Sequence, residues 1–179
     1  MKIRIGLNSS FHRRQIGELL MNEPKYENFV IETPIGLLAI KIVNNELVKI
    51  DLNSRKTIQA ACSLFAKEIH RQINCYFEDA SFKFDINLKA EGTEYQNRVW
   101  RALQDIPLSQ VMTYGELASK IDSGARAIGN ACRNNPIPLI VPCHRIVSAS
   151  GLGGFAGQLD GRLIDIKKFL LVHEGALML

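Results

Sequence analysis

Residues 28–52 alternate between hydrophobic and polar positions with a period of two, which predicts β-strands rather than helix. Three short strands are expected, over 29–31, 37–43 and 47–52. Turn-forming residues at 33–36 and the Asn44-Asn45 pair separate them. The pattern therefore predicts a small antiparallel sheet.

Residues 56–78 follow the helical period instead. Apolar side chains recur there every three or four positions, which predicts one long amphipathic helix. Cys62 and Cys75 lie within it and are interpreted as small core residues. A further strand is predicted near 82–86.

These elements predict a small α/β domain over residues 1–90, interpreted as a scaffold without chemistry of its own. At its start, residues 11–21 can form a helix, which Pro24 and the polar residues before it would end.

After Gly92 the pattern becomes helical, with short loops. Thr93 with Gln96, and Thr113 with Glu116, have the spacing of a capping box, in which two side chains satisfy free backbone amides at a helix start. Two helices are predicted to begin there, the second running through Lys120. Further helices are predicted over 125–133 and over 160–172, the last with Ile164, Phe169, Leu170 and Leu171 facing inward.

The helices at 113–120 and 125–133 are short and are separated by a break at Ser123-Gly124. This arrangement is typical of a helix-turn-helix, whose second helix normally faces DNA. Residues 91–179 are therefore predicted to form a mostly α-helical second domain.

The composition predicts a globular protein without a membrane span, because 46% of the 179 residues are hydrophobic, 22% are charged and no long apolar run occurs. Residues 1–10 lack the apolar core of a signal peptide, so a cytoplasmic protein is expected. The net charge of +4 does not by itself indicate a nucleic-acid binder. Residues 125–135, however, carry Arg126 and Arg133 and no acid, which is enough for phosphate contacts.

The four cysteines lack the close paired spacing of a zinc site, and reduced thiols are expected. His12, Cys62, His70 and Cys75 also show no recognisable ligand spacing. No metal and no cofactor are therefore predicted, and nothing in the pattern indicates an oligomer seam, so a monomer is expected.

The clearest candidate chemistry is the run Pro142-Cys143-His144-Arg145, which follows three apolar residues. A thiol acts as a nucleophile only when it is deprotonated, and a nearby imidazole is a common base for that step. The apolar run predicts a site held at the edge of a core. An inert buried cysteine is the alternative interpretation.

This run and its surroundings resemble the O6-alkylguanine-DNA alkyltransferases, which move an alkyl group from guanine in DNA onto their own cysteine. The matching segments occur in the family's order over residues 92–175: 92–96, 99–100, 106–107, 113–118, 125–129, 134–138, 141–147 and 170–175. The resemblance implies a ribonuclease H-like α/β first domain and a second domain with a winged helix-turn-helix.

The resemblance also implies the roles of five residues. Cys143 accepts the alkyl group, His144 takes the thiol proton through a bridging water, and Glu174 orients the imidazole. Asn135 ties the recognition helix to the active site, and Tyr114 donates a hydrogen bond that helps guanine depart. Without the resemblance, Glu174 would be interpreted as a solvated acid and Tyr114 as a half-buried helix residue.

The partner implied is double-stranded DNA bound through its minor groove, with the alkylated base flipped out. Arg126 is then expected to fill the gap left by the base. The further residues expected at the DNA are Thr113, Ala125, Ala127, Gly129 and Arg133. The residues expected to form the guanine pocket are Tyr114, Val141, Pro142, Ser150, Gly151, Gly154, Phe155 and Ala156.

Three other functions stay open at this stage. A protein that binds alkylated DNA without reacting would lack the acceptor thiol, which Cys143 supplies. A helix-turn-helix regulator with a sensing thiol would need a second regulatory domain. A cysteine hydrolase would need an oxyanion hole and would turn over.

Overall fold

The computed structural model describes residues 25–178. The helix predicted for residues 11–21 lies outside the described part of the chain.

The sheet has three antiparallel strands in sequence order, β1 (Tyr26–Thr33), β2 (Gly36–Val43) and β3 (Glu46–Asp51). Asn44 and Asn45 connect β2 to β3 with φ angles of 52° and 58°. Asparagine tolerates this left-handed conformation, which two-residue hairpins require. The predicted small antiparallel sheet is confirmed.

Helix α1 spans Leu64–Glu78, so the predicted start at residue 56 is wrong. Ser63 caps the helix, its hydroxyl accepting a hydrogen bond from the amide of Ala66 at 3.0 Å. Residues before the cap extend the sheet instead, because Gln59 exchanges two backbone hydrogen bonds with Val30 of β1. Tertiary pairing thus overrides the helical periodicity of 56–62.

The prediction of a strand near 82–86 is also wrong. The Gln72 side chain binds the backbone of Asp85 there, accepting a hydrogen bond from its amide at 2.8 Å and donating one to its carbonyl at 2.9 Å. The chain pairs with β3 only at the next residues, where Leu47 bonds to Asn87 and Lys89.

Three burial predictions need correction. Cys62 is exposed and Cys75 only partly buried, so neither is a core residue. Phe169 is 40% exposed and stacks on the His173 ring, with centroids 6.0 Å apart. Cys62 lies before the start of α1, whereas Cys75 and Phe169 lie within their helices but off the buried face.

The second half contains α2 (Glu94–Gln104), β4 (Met112–Thr113), α3 (Tyr114–Lys120), α4 (Ala125–Arg133), a 3₁₀ turn (Cys143–Arg145), β5 (Ile146–Val147) and α5 (Arg162–His173). Both predicted capping boxes are present, with each threonine and its partner side chain bonding the other's backbone amide. The indole of Trp100 in α2 donates to the carbonyl of Ala131 at 3.0 Å, which fixes α4 against α2.

The two halves share one hydrophobic core. The amide of Ile50 in β3 donates to the carbonyl of Pro136 at 2.9 Å, and Arg162 in α5 donates to the carbonyl of Ile35 at 3.1 Å. Residues 137–144 run through this core as a fully buried segment that leads to the 3₁₀ turn. Among residues 25–178, no helix is long and apolar enough to cross a membrane.

Candidate active site

Cys143 begins the 3₁₀ turn and is only 4% exposed. Its Sγ accepts a hydrogen bond from the Asn135 amide at 3.1 Å. The same amide nitrogen donates to the carbonyl of Val141 at 2.8 Å, and the Asn135 oxygen accepts from the amide of Ile137 at 3.0 Å. Asn135, just after the end of α4, therefore fixes the segment that carries the thiol.

Burial raises the pKa of the Cys143 thiol to about 11, although the Asn135 hydrogen bond and the charge of Lys167 lower it in part. The thiol is consequently neutral near pH 7. A base must take its proton before the sulfur can act as a nucleophile.

His144 and Glu174 form a fully buried pair, with Nε2 of the histidine 3.0 Å from Oε1 of the carboxylate. Burial raises the pKa of Glu174, but hydrogen bonds from His144 and Arg145 outweigh it and hold that pKa well below its usual range. Burial lowers the pKa of His144, which the Glu174 hydrogen bond opposes. His144 is therefore a neutral imidazole near pH 7, and Glu174 beside it is an ionised carboxylate.

The carboxylate also settles the tautomer of His144. Because ionised Glu174 can only accept, Nε2 carries the proton and Nδ1 carries the lone pair. Nδ1 is buried and has no hydrogen-bond partner among residues 25–178. It is therefore the atom that can accept a proton.

Two further residues hold Glu174, and sequence reasoning assigned a role to neither. Arg145 donates through Nε to Oε2 at 2.8 Å and through Nη2 to Oε1 at 2.9 Å. The hydroxyl of Tyr76 in α1 donates to Oε1 at 2.8 Å. Arg145 belongs to the Cys143 motif, which could have signalled it. In the sequence, Tyr76 is recognisable only as one of the residues on the apolar face of the predicted helix.

A cavity of about 540 Å³ opens above the thiol. Its lining includes Cys143, Tyr114 and the loop 153–159, together with Arg126 from α4. The Tyr114 hydroxyl points across it toward the carbonyl of Gly154, 3.4 Å away.

Of the residues expected in the pocket, Tyr114, Gly154, Phe155 and Ala156 line this cavity. Val141, Pro142, Ser150 and Gly151 are not part of its lining. Val141 and Pro142 are buried, with Pro142 at a separate cavity, and Ser150 and Gly151 lie on an exposed turn. Lining residues that the sequence did not suggest include Cys132 and Ser148. No sequence signal separated them from core or loop positions.

The loop beside the cavity is anchored by Lys167, which is fully buried in α5. Its ammonium donates to the carbonyls of Ile146 and Leu152, both at 2.6 Å, and of Gly154 at 3.0 Å. Burial lowers the pKa of Lys167 to about 8. One lysine thus joins three chain segments around the pocket.

Replacing Lys167 by methionine is expected to lower the free energy of unfolding by roughly 2–4 kcal/mol, because one buried and two partly buried carbonyls lose their donor. Urea denaturation measures the change. Lys168→Met is the matched control, since the neighbouring Lys168 side chain is 57% exposed. A loss no larger than that of the control would show that Lys167 does not anchor the loop.

Three of the residues expected at DNA lie at the start of α4. Ala125, Arg126 and Ala127 are exposed there. Thr113 caps α3, and Gly129 faces the Tyr114 ring, which a Cβ at that position would meet at 3.8 Å.

Arg133 is placed differently from the residues at the start of α4. It packs over the pocket loop, where a Cβ on Gly157 would lie 2.9 Å from its Nε. No group of three or more His, Cys, Asp or Glu side chains within residues 25–178 is arranged to hold a metal ion.

The fold and the site together define a protein with a buried cysteine thiol, which is next in sequence to a histidine–carboxylate pair and lies at a cavity that an exposed helix start also lines. The family model for the 6-O-methylguanine DNA methyltransferase DNA-binding domain matches residues 94–176. A methylated-DNA–protein-cysteine methyltransferase of Methanosarcina acetivorans is 39% identical over 156 residues, covering 82% of this chain and 97% of that protein. The chain belongs to the methylated-DNA–protein-cysteine methyltransferase family.

Other relatives and solved structures agree. The enzyme of the same name from Mycolicibacterium paratuberculosis is 38% identical, over 73% of this chain and 84% of that protein. The crystal structure of Mycobacterium tuberculosis O6-methylguanine methyltransferase matches with a TM-score of 0.73 and 34% identity, over 85% of this chain and 94% of that one. A crystal structure of M. tuberculosis OGT in complex with DNA matches with a TM-score of 0.69 and 37% identity, over 84% of this chain and 92% of that one.

Proposed function

We propose that the protein repairs DNA by direct reversal, moving the alkyl group from O6 of alkylguanine onto Cys143 in one irreversible step. It acts less efficiently on O4-alkylthymine. The observation that carries the proposal is the position of Cys143, at the cavity that the exposed start of α4 also lines, with Asn135 and the His144–Glu174 pair beside it.

The reaction begins with a proton transfer. The Cys143 proton passes through a bridging water to Nδ1 of His144, and Glu174 stabilises the imidazolium that forms. The Asn135 amide donates to the sulfur and stabilises the thiolate. The transfer leaves the net charge of the buried site unchanged, but it separates charge into a thiolate and an imidazolium, which Asn135 and Glu174 stabilise.

The thiolate then attacks the alkyl carbon in line with the bond to O6. The sulfur–carbon bond forms while the carbon–oxygen bond breaks, and its electron pair stays on the guanine. Burial raises the pKa of Tyr114 to about 12, and nearby Cys132 and Cys143 add to the shift, so its hydroxyl stays a donor at neutral pH. From the edge of the cavity Tyr114 donates to the departing guanine.

The product is a thioether, which none of the residues around Cys143 can cleave. Each protein molecule therefore reacts once. The step needs no metal and no cofactor, since the acceptor, the base and the leaving-group donor are all side chains of this chain.

The substrate is alkylated double-stranded DNA approached from its minor groove. O6 of guanine is inaccessible inside a stacked pair, so the base must be flipped into the cavity, which costs a few kcal/mol. Arg126 fills the gap in the duplex, and the small residues Ala125, Ala127 and Gly129 let α4 approach the groove closely. Thr113 and Arg133 complete this surface.

We also propose that residues 1–90 belong to a ribonuclease H-like scaffold domain and residues 91–179 to the DNA-binding and alkyl-transfer domain, with α3 and α4 as the two helices of a winged helix-turn-helix. The protein acts as a monomer in the cytoplasm.

The function is tested by incubating the protein with duplex DNA that carries one labelled O6-methylguanine. Label is expected to move to protein until it reaches one methyl per molecule. Binding without transfer would instead indicate a non-reacting DNA-binding protein or a regulator. Release of label to solution with repeated turnover would indicate a hydrolase.

Arg126→Ala is expected to slow repair of duplex DNA at least tenfold more than transfer from free O6-benzylguanine. Only the duplex needs a base flipped and its gap filled, and flipping the base costs roughly a few kcal/mol. Single-turnover rates on both substrates measure this. Arg101→Ala is the control, since Arg101 is an exposed arginine of α2 outside the cavity lining. Equal losses on the two substrates would place Arg126 in the pocket or the fold instead.

A further inference from the structure

The site touches the first half of the chain through the hydroxyl of Tyr76. Tyr76 lies on α1 and is 2% exposed. Its hydroxyl donates to Oε1 of Glu174 at 2.8 Å, across 98 residues of sequence. Oε1 is also the oxygen that Nε2 of His144 contacts at 3.0 Å.

We propose that Tyr76 is a positioning residue for alkyl transfer, which holds Glu174 against His144 and thereby makes the first half of the chain part of the active site. The inference rests on the proposed function, because it concerns the base that activates Cys143. It goes beyond the scaffold role assigned to residues 1–90.

Glu174 needs a second fixed donor because Arg145 binds both of its oxygens. A bidentate guanidinium pair orients a carboxylate toward the arginine, not toward a third group. Arg145 is itself held by one carbonyl, that of Ile106, and its side chain is 14% exposed. The Tyr76 hydroxyl is the donor to Oε1 that does not come from the motif around Cys143.

Tyr76 is well placed to act as a fixed point. Its carbonyl accepts a hydrogen bond from Nε2 of His173, the residue before Glu174, at 2.7 Å. Its ring packs edge-on against the His173 ring, with centroids 5.1 Å apart, and at a tilt of 33° against the Phe84 ring, with centroids 5.4 Å apart. Helix α1 is therefore joined to the end of α5 at two consecutive residues, His173 and Glu174.

The charge of the donor matters as well. Arg145 and Lys167 both lower the pKa of His144 through their positive charges, and further positive charge would weaken the base more. Tyr76 holds the carboxylate as a neutral group. Burial raises the pKa of Tyr76, and adjacent Glu174 raises it further, so the hydroxyl remains a donor throughout the working range.

The test is the pH dependence of single-turnover methyl transfer in Tyr76→Phe, a change that keeps the ring and removes only the hydroxyl. Near pH 7 the rate is expected to fall about tenfold, the value of one hydrogen bond to a charged group. The midpoint of the pH profile, which follows ionisation of the Cys143 thiol, is expected to rise by about one pH unit. At alkaline pH, where the thiol ionises without the base, the rate is expected to match that of the unsubstituted protein.

Tyr95→Phe is the matched control. Tyr95 also loses one side-chain hydrogen bond, to Ser123 at 2.8 Å, and lies in α2 away from the His144–Glu174 pair. It is expected to leave the pH midpoint in place. A Tyr76→Phe protein whose rate fell equally at all pH values would show a merely structural role and would overturn the inference.

A double-mutant cycle with Glu174→Gln tests whether Tyr76 acts through the carboxylate. Tyr76→Phe is expected to cause no further loss once Glu174 is replaced, and independent losses that multiply would overturn the inference. The proposed function fails separately, through absence of methyl transfer in the unsubstituted protein. Normal transfer by Tyr76→Phe near pH 7 contradicts the inference alone.

Discussion

Cys143→Ser is expected to abolish methyl transfer while leaving DNA binding largely intact. The hydroxyl has nearly the shape of the thiol and can accept the Asn135 hydrogen bond, so the buried site keeps its structure. A serine hydroxyl is, however, a far poorer nucleophile at neutral pH than a cysteine whose proton a base removes. Transfer of labelled methyl and binding to an O6-methylguanine duplex, measured on the same preparation, separate the two properties.

The control for this variant is Cys62→Ser, which removes an exposed thiol in the first half of the chain. It is expected to transfer methyl at the normal rate. Near-normal incorporation of label by Cys143→Ser would mean that another group accepts the methyl.

His144→Ala is expected to slow transfer by roughly 10²–10⁴-fold at pH 7, the usual effect of losing a positioned general base. Burial raises the pKa of Cys143 to about 11, so without the base almost all of the thiol is protonated at pH 7. The rate of the variant should therefore rise with pH, about tenfold per unit, until the thiol ionises directly. Single-turnover rates from neutral to alkaline pH measure both effects.

His70→Ala is a suitable comparison, because His70 lies on α1 away from the cavity and should tolerate replacement without loss of rate. A loss of less than tenfold at pH 7 in His144→Ala would contradict the activation of Cys143 by this imidazole. A profile that stayed flat with rising pH would contradict it as well.

The elements that could be predicted from the sequence are those fixed by neighbouring residues. The Asn44-Asn45 hairpin and the Thr93 and Thr113 capping boxes depend on positions at most three apart, and all appear as predicted. The start of α1 could not be predicted, because pairing between Gln59 and Val30 of a distant strand decides it.

The same distinction applies to the site. Cys143, His144 and Glu174 were suggested by a motif that resembles a known family, and the structure brings the latter two within 3.0 Å. Tyr76 and Lys167 were not suggested, because each occupies a helical position whose pattern alone predicts packing or a solvated charge. Their roles depend on contacts that only the folded chain creates.

Mass spectrometry of the protein after incubation with an O6-methylguanine duplex tests the central claim most directly. We expect one added methyl per molecule, carried on the peptide that contains Cys143, with unmodified guanine restored in the DNA. Demethylated DNA beside unmodified protein, or a methyl on any other residue, would contradict it.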